Sequence, residues 1–146
     1  MITVHAACCV VGGAGVLIRG PSGAGKSSLA LFLAAAQDGA FVADDRVICA
    51  VEAGRLVARP HAALAGHVEV RGQGILPVAS LGVAVQDRAI LHLAVDLVDA
   101  APRMPDAPGD ADLLGIALPR FVLDAGVRAA GLAPLLIRAA LRQKRP

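Results

Sequence analysis

One eight-residue segment restricts the possible folds of this chain more than any other feature. Residues 20–27 read GPSGAGKS and match the phosphate-binding pattern G-x-x-x-x-G-K-[ST] at every defined position. Three glycines and a proline within six residues exclude both a helix and a strand there. An apolar run at 16–18 precedes the segment, and the helix-forming sequence KSSLALFLAAA at 26–36 follows it. A strand, a glycine-rich loop and a helix in this order predict a nucleotide-binding α/β domain.

The residue types of this loop suit a chain of phosphates. Glycines let successive backbone N–H groups point inward at phosphate oxygens, and the N-terminus of the following helix adds positive partial charge. We expect Lys26 to reach the β- and γ-phosphates and the Ser27 hydroxyl to coordinate Mg²⁺. The flanking strand and helix argue against a glycine-rich turn with an incidental lysine. The predicted nucleotide-binding residues are Gly20, Pro21, Ser22, Gly23, Ala24, Gly25, Lys26 and Ser27.

Two adjacent carboxylates follow the next apolar segment. Asp44 and Asp45 come 17 and 18 positions after Ser27, at the end of a buried strand predicted at 41–43. A strand there can lie beside the one that feeds the loop, which would bring both carboxylates to the phosphates. One could hold a metal or its water while the other accepts a proton from an incoming hydroxyl. The alternative is an Asp-Asp turn that pairs with Arg46.

Glu69 and Arg71 raise a similar question, because Gly72 and Gly74 stand beside them. Glycines permit close backbone approach, so the pair could bring a metal ligand and a cation to a phosphate. A solvated pair at a strand edge is equally compatible with the pattern. His5 lies on the predicted first strand and, taken alone, is more typical of a core or edge histidine than of a catalytic group. The other histidines show no metal-ligand spacing: His61, His67 and His92.

Composition favours one domain and excludes several classes of protein. Of 146 residues, 56% are hydrophobic, which excludes a disordered chain. A net charge of +2 and the lack of Trp and Tyr argue against a nucleic-acid partner. Cys8, Cys9 and Cys49 form an odd set with two adjacent members, so we expect buried free thiols. The sequence shows no secretory signal and no apolar run of the roughly 20 residues that a membrane span needs, so we expect a cytoplasmic protein with no membrane partner.

The remaining sequence predicts mainly strands. They are expected at 3–9, 89–97, 113–116 and 120–123, with a hairpin formed by 47–51 and 55–58. Loops are expected at 69–74 and 99–112, and a loop or helical turn at 60–66. A closing helix is expected at 134–143, with Leu135, Leu136 and Ala139 on its buried face. The predicted fold is therefore α/β: one P-loop domain over residues 1–146 with a central mixed sheet, a helix after the loop and a C-terminal helix.

Four blocks of the sequence together resemble a known family. They are His5, GPSGAGKS at 20–27, VADDRV at 42–47 and EVRGQGI at 69–75. Their order and spacing are similar to those of the C-terminal catalytic domain of HPr kinase/phosphorylase. That family transfers phosphate from ATP to a serine of HPr, the small carrier protein of the phosphotransferase system. It also removes the phosphate by phosphorolysis, using inorganic phosphate and releasing pyrophosphate.

The resemblance implies roles for the matched residues. Asp44 would take the serine proton in the forward reaction and return it in the reverse reaction, with Asp45 assisting. Lys26 would bind the transferring phosphoryl group. Ser27 and Glu69 would hold Mg²⁺.

The resemblance also adds three catalytic candidates. His5 matches the active-site histidine of the family, and Arg71 lies within the matched EVRGQGI block. The catalytic arginine of the family is best matched by Arg103 in PRMPD. The segment LDAGVR at 123–128 falls where the family has a glycine- and arginine-bearing loop tied to dephosphorylation.

Three features depart from the family pattern. Nothing here corresponds to the N-terminal domain of full-length members, Ser28 stands where an acidic residue is usual, and the basic C-terminus at 142–146 is short. The resemblance nevertheless implies an ATP- and Mg²⁺-dependent protein-serine kinase acting on an HPr-type phosphocarrier, with a homo-oligomeric, hexameric assembly. Two alternatives stay open: an ATP-binding sensor module without phosphoryl transfer, and a small-molecule P-loop kinase. The small-molecule kinases usually need an arginine-rich lid, whereas the proline-rich stretch here holds only Arg103.

Overall fold

Residues 1–144 are described by a computed structural model of the protein, and strands make up most of its regular structure. The strands are β1 (Ile2–Val11), β2 (Ala14–Arg19), β3 (Gly39–Ala43), β4 (Arg46–Glu52), β5 (Arg55–Pro60), β6 (His67–Val70), β7 (Gly74–Pro77), β8 (Ala89–Leu97), β9 (Ala111–Leu113), β10 (Ile116–Leu118) and β11 (Arg120–Leu123). The α-helices are α1 (Lys26–Ala34), α2 (Ala125–Ala129) and α3 (Ala133–Lys144), and short 3₁₀ turns cover Ala62–Leu64 and Val78–Leu81. No helix within these residues is both long and apolar enough to cross a membrane.

Strand β1 is central to the sheet because it pairs with three other strands. Its residues 6–11 pair antiparallel with β2, while its opposite edge pairs first with β4 and then with β3. Strand β8 runs parallel to β2, and β11 runs parallel to β8, which confirms the predicted mixed sheet. Two residue pairs join β5 to β8 and thereby close β1, β2, β8, β5 and β4 into a ring.

The sheet separates two hydrophobic cores. All five strands of the ring contribute to one core, which includes Cys8, Leu17 and Cys49. Helices α1 and α3 cover the opposite face of the sheet through residues such as Leu33 and Ile137. The three cysteines are buried free thiols as predicted, and burial raises the pKa of Cys49 to about 11. Because α1 covers one face of the sheet and follows β2 in the chain, the end of β2 and the loop after it lie at the rim between the sheet and α1.

The predicted loop at 69–74 is wrong, because this region forms a hairpin. Strands β6 and β7 pair antiparallel, and Glu69 lies within β6 opposite Ile75. Val68 is buried under α1 while its neighbours face outward, so the polar residues belong to the exposed face of a short strand. Gly72, with φ of 82°, serves the turn of this hairpin.

The predicted strand at 113–116 is also wrong. Leu114 and Gly115 have φ of 56° and 80° and form the tight turn that joins β9 to β10. The segment 123–128 is not a loop either, because Asp124 caps α2 by accepting a hydrogen bond from the Val127 N–H at 2.8 Å. The signal in the sequence was Asp124, a residue type that caps helices, placed directly before a stretch that can form a helix.

The C-terminal helix is confirmed, but its buried face was only partly predicted: Leu136 packs partly buried against the core. Leu135 is 62% exposed, and the helix instead buries four positions that follow the i, i+4, i+7, i+8 pattern. These positions are Ala133, Ile137, Ala140 and Leu141. Of the basic C-terminus at 142–146, residues 145 and 146 lie outside the described residues.

A charged cluster joins the end of β2 and the end of β8 to the start of β11. Asp96 on β8 accepts two hydrogen bonds from Arg19 on β2, at 2.7 and 2.9 Å, and one from Arg120 on β11 at 2.6 Å. Its side chain is 17% exposed. Burial raises the pKa of Asp96, but the hydrogen bonds from the two arginines outweigh this effect, so its pKa lies below the ordinary value.

We expect Asp96→Asn to lower the free energy of unfolding by about 2 kcal/mol at pH 7, because two guanidinium groups lose their carboxylate. A depressed carboxylate pKa contributes stability above the unfolded-state pKa near 4, and this contribution disappears as the pH falls through the folded-state value. The difference between wild type and variant in urea unfolding should therefore shrink below about pH 4.

The matched control is Asp38→Asn, which removes a bidentate partner of Arg138 on the exposed surface. Its effect should be much smaller, since exposed ion pairs contribute little in water. An equal effect of both substitutions would contradict a special contribution of Asp96.

Candidate functional site

The glycine-rich loop runs from the end of β2 to the first turn of α1, as predicted. A Cβ atom added to Gly20 would lie 3.0 Å from Leu97 Cβ and 3.1 Å from the Leu97 carbonyl oxygen, so a larger residue would crowd the loop against β8. Gly25 precedes α1 with φ of 95°, and no side chain caps the helix. The start of α1 is therefore open toward the loop.

Several backbone N–H groups of the loop are available for a ligand. Within residues 1–144, no group accepts a hydrogen bond from the backbone N–H of Gly23, Gly25, Lys26 or Ser27. The first turn of α1 also contains no acidic residue. Unpaired amides at an uncapped helix N-terminus form a concentrated site for anions.

Lys26 is placed among these amides although it is only 8% exposed. Its Nζ atom donates hydrogen bonds to the carbonyl oxygens of Gly20, at 2.8 Å, and Pro21, at 3.1 Å. An ammonium group has three N–H donors, so one remains for an anion that enters the loop. The loop carbonyls thus fix the position of the positive charge.

Asp44 ties the loop to two other elements. It follows β3, is 7% exposed, and accepts a hydrogen bond on Oδ1 from the Ser27 hydroxyl. Its Oδ2 atom accepts a second hydrogen bond, at 3.0 Å, from the backbone N–H of Glu69. One buried carboxylate therefore joins α1, β3 and the β6–β7 hairpin.

Asp45 lies at the point where the edge of β1 changes partner from β3 to β4. Its φ of 67° is unusual for a residue other than glycine, and the Arg46 N–H bonds the Asp44 carbonyl oxygen across it at 2.7 Å. This tight turn holds Asp45 in a strained backbone conformation. Asp45 Oδ1 lies 2.7 Å from His5 Nε2, and both side chains are more than half exposed.

The predicted residues converge on one cleft of about 390 Å³ beside the loop. Its lining includes His5, Lys26, Ser27, Asp45, Glu69 and Arg71. Asp44 does not line this cleft but lines, together with Asp45, a small adjoining cavity of about 60 Å³. Arg103 is the exception, because it lies on the exposed segment between β8 and β9 and lines neither cavity.

Two features of the cleft were missed by sequence reasoning. Ser28 lines it directly after the predicted loop, where the sequence suggested only a departure from the family pattern. The hydrogen bond from the Glu69 amide to Asp44 joins residues 25 positions apart, and no sequence spacing predicts such a contact.

The donor set fits a nucleotide phosphate chain with a hard divalent cation. The described residues contain no cluster of three or more His, Cys, Asp or Glu side chains able to hold a metal by themselves. Mg²⁺ bound to nucleotides commonly needs only one or two protein ligands, because phosphate oxygens and waters complete its shell. The Ser27 hydroxyl and the Glu69 carboxylate, which line the same cleft, supply ligands of this kind.

Comparisons with known proteins agree on one family. The family model described as the HPr Serine kinase C-terminal domain matches residues 1–143. The chain is 36% identical over 127 residues to an HPr kinase/phosphorylase of Streptococcus thermophilus, covering 82% of this chain and 41% of that protein. It is 35% identical over 97 residues to an HPr kinase/phosphorylase of Mycoplasma mycoides, covering 65% of this chain and 31% of that protein. The chain thus spans less than half the length of these curated relatives.

A solved structure shares the fold. The Hpr(Ser) kinase/phosphatase from Coxiella burnetii superposes with a TM-score of 0.83 at 27% sequence identity. The match covers 98% of this chain and 92% of that chain. Nearly the whole described architecture therefore has a counterpart in that protein.

Proposed function

The chain belongs to the HPr serine kinase C-terminal domain family, and from this premise we propose that it transfers the γ-phosphoryl group of ATP to a serine of an HPr-type phosphocarrier protein. One observation carries the proposal: the phosphate-binding loop and the exposed Asp45 carboxylate line one cleft, and the buried Asp44, which bonds the Ser27 hydroxyl, lines the adjoining cavity together with Asp45. A cleft of this composition can hold a triphosphate at one end and admit a hydroxyl at the other.

Binding and charge neutralisation fall to the loop and its neighbours. The loop amides hold the β-phosphate, and Lys26 reaches the phosphoryl group that transfers. The Ser27 hydroxyl and Glu69 would hold Mg²⁺, which would supply charge neutralisation for the phosphate chain. Arg71 at the hairpin turn brings a further cation to the cleft. Most of the acceleration then comes from positioning and electrostatic stabilisation.

Proton transfer is assigned to the paired carboxylates. The serine oxygen of the carrier attacks the γ-phosphorus as the bond to the β-phosphate oxygen breaks, and the serine proton passes to Asp44. Each Asp44 oxygen accepts one hydrogen bond in this structure, so the carboxylate keeps acceptor capacity for this proton. Asp45 and His5 assist from the solvent side of the cleft. Arg103 is assigned to the catalytic set on the resemblance of its sequence block alone.

The reverse reaction uses the same groups. Inorganic phosphate attacks the phosphoserine phosphorus and forms pyrophosphate, while Asp44 returns the proton to the serine oxygen. We also propose that residues 1–146 form one catalytic domain and that copies of the chain assemble as a homo-oligomer, with a hexamer suggested by the family. The single phosphate-binding cleft supports one catalytic unit in the described residues.

The proposal is tested by incubating the protein with γ-labelled ATP, MgCl₂ and a purified HPr-type carrier. We expect one phosphate per carrier, located on serine by mass spectrometry, and no label when EDTA is present or when that serine is replaced by alanine. Nucleotide binding without a labelled carrier would instead indicate a sensor module. Label on a nucleoside monophosphate rather than on the carrier would indicate a small-molecule kinase.

A further inference from the structure

Helix α1 carries an exposed aromatic side chain beside the phosphate-binding loop. Phe32 is 67% exposed, whereas Leu33 of the same helix is buried and Leu29 and Leu31 are partly buried. It borders a groove of about 310 Å³ between α1 and the corner that joins α2 to α3. The groove also contacts Leu29, Arg128, Gly131 and Pro134, so its walls are mainly apolar.

The groove is continuous with the phosphate cleft. Gly25 and Ser28 line both, so a ligand whose phosphates occupy the loop can extend past the first turn of α1 into the groove. The groove contains no acidic side chain, whereas the opposite end of the cleft carries Asp45 and Glu69. The acidic end suits the metal and the acceptor hydroxyl, and the apolar end suits the part of a nucleotide farthest from the reacting phosphorus.

We propose that this groove holds the adenine base of the donor nucleotide, with the base against the Phe32 ring. The assignment rests on the proposed use of ATP. Its volume exceeds that of a purine, and a flat apolar base gains most from an exposed aromatic surface that would otherwise face water.

Arg128 gives the opposite wall of the groove a fixed shape. Its Nη1 atom donates hydrogen bonds to the carbonyl oxygens of Val98, at 2.9 Å, and Leu123, at 2.6 Å. These bonds hold the guanidinium at the ends of β8 and β11, and its planar group can stack on a base. Within residues 1–144, no acceptor is bonded to its Nε or Nη2 atoms.

A second groove lies on the other side of α1 but is the poorer site for the base. It runs toward the β6–β7 hairpin and is lined by Ser27, Glu69 and Leu81, and it shares Ser28 and Phe32 with the first groove. Because Ser27 and Glu69 are the proposed metal ligands, this groove opens at the end of the cleft where the γ-phosphate reacts. A base placed there would reverse the direction of the phosphate chain along the loop.

The lining also predicts how selective the site is. Among the lining residues, only Ser28 and Arg128 have polar side chains, so stacking rather than hydrogen bonding recognises the base. ATP and GTP should then bind with affinities that differ by less than about tenfold, because a site without dedicated polar partners discriminates weakly.

The test compares Mg²⁺-ATP with Mg²⁺-tripolyphosphate, which has the phosphate chain but no base, by titration calorimetry. Phe32→Ala should weaken ATP binding by about tenfold, since the base loses its stacking surface. Tripolyphosphate affinity should stay within about twofold of wild type, because the loop is untouched. Phe32 is largely exposed, so the variant is expected to fold.

Leu81→Ala is the matched control that separates the two grooves, because Phe32 lines both whereas the exposed apolar Leu81 lines the second groove and not the first. It should leave both affinities unchanged. Unchanged ATP binding in Phe32→Ala would overturn the assignment, as would an equal loss for both ligands or a loss of ATP binding in Leu81→Ala. If the wild-type protein binds neither ligand, the proposed function itself fails, and that result is distinct from a misplaced base.

Discussion

Lys26→Ala abolishes phosphoryl transfer: we expect kcat to fall at least about a thousandfold, the upper range for loss of one preorganised group that stabilises transition-state charge. The Lys26 ammonium is buried and is held by two loop carbonyls, so no solvent cation or mobile side chain takes its place. The measurement is the initial rate of carrier labelling at saturating ATP. Lys26→Met is the companion variant, because its unbranched side chain fills the same space without charge.

The control for this experiment is Arg55→Ala, which removes an exposed cation at the start of β5. It changes the net charge by the same amount and should leave transfer unaffected. Urea unfolding of each variant shows whether the loop carbonyls tolerate the loss of their donor. Transfer in a folded Lys26→Met protein above about a tenth of the wild-type rate would contradict the assigned role.

Asp44→Asn should lower transfer by at least about a hundredfold while nucleotide binding stays nearly intact. The amide can preserve both contacts of the carboxylate, because its oxygen can accept from the Glu69 N–H and its NH₂ can donate to the Ser27 oxygen. The loop and the hairpin therefore keep their positions. What the variant loses is the negative charge and the capacity to take a proton.

Asp45→Asn separates the two carboxylates. Asp45 is exposed and only assists in the proposed mechanism. Its substitution should therefore lower the transfer rate by about tenfold, which is less than the loss expected on removing a general acid or base. Rates are measured with the same carrier and at the same pH for both variants. A reversed order, with Asp45→Asn the more damaging change, would show that Asp45 takes the proton.

The sequence predicted the parts of the site that are local along the chain. The strand, glycine-rich loop and helix around residues 20–27 were correctly predicted, since the loop composition permits few alternatives. The position of Asp44 at the end of β3 followed from the length of the apolar run before it. The resemblance also identified the family that the comparisons show.

Other features depend on tertiary contacts that no local pattern encodes. The bond from the Glu69 amide to Asp44 arises because Val68 is buried under α1, which brings β6 across the loop. The buried face of α3 was only partly predicted because Leu135 is as hydrophobic as the core positions, and only the placement of Ile137 against the sheet decides between them. The apolar groove beside Phe32 likewise required α2 and α3 to be placed.

The hairpin of β6 and β7 pairs with no other strand in residues 1–144, yet its Glu69 backbone N–H bonds directly to Asp44. That amide proton therefore experiences the electrostatic field of the buried carboxylate at a distance of one hydrogen bond. Its NMR chemical shift changes whenever Asp44 gains a proton or rotates toward a ligand. The protein thus contains an internal reporter on its proposed catalytic base, with no label attached to the side chain itself.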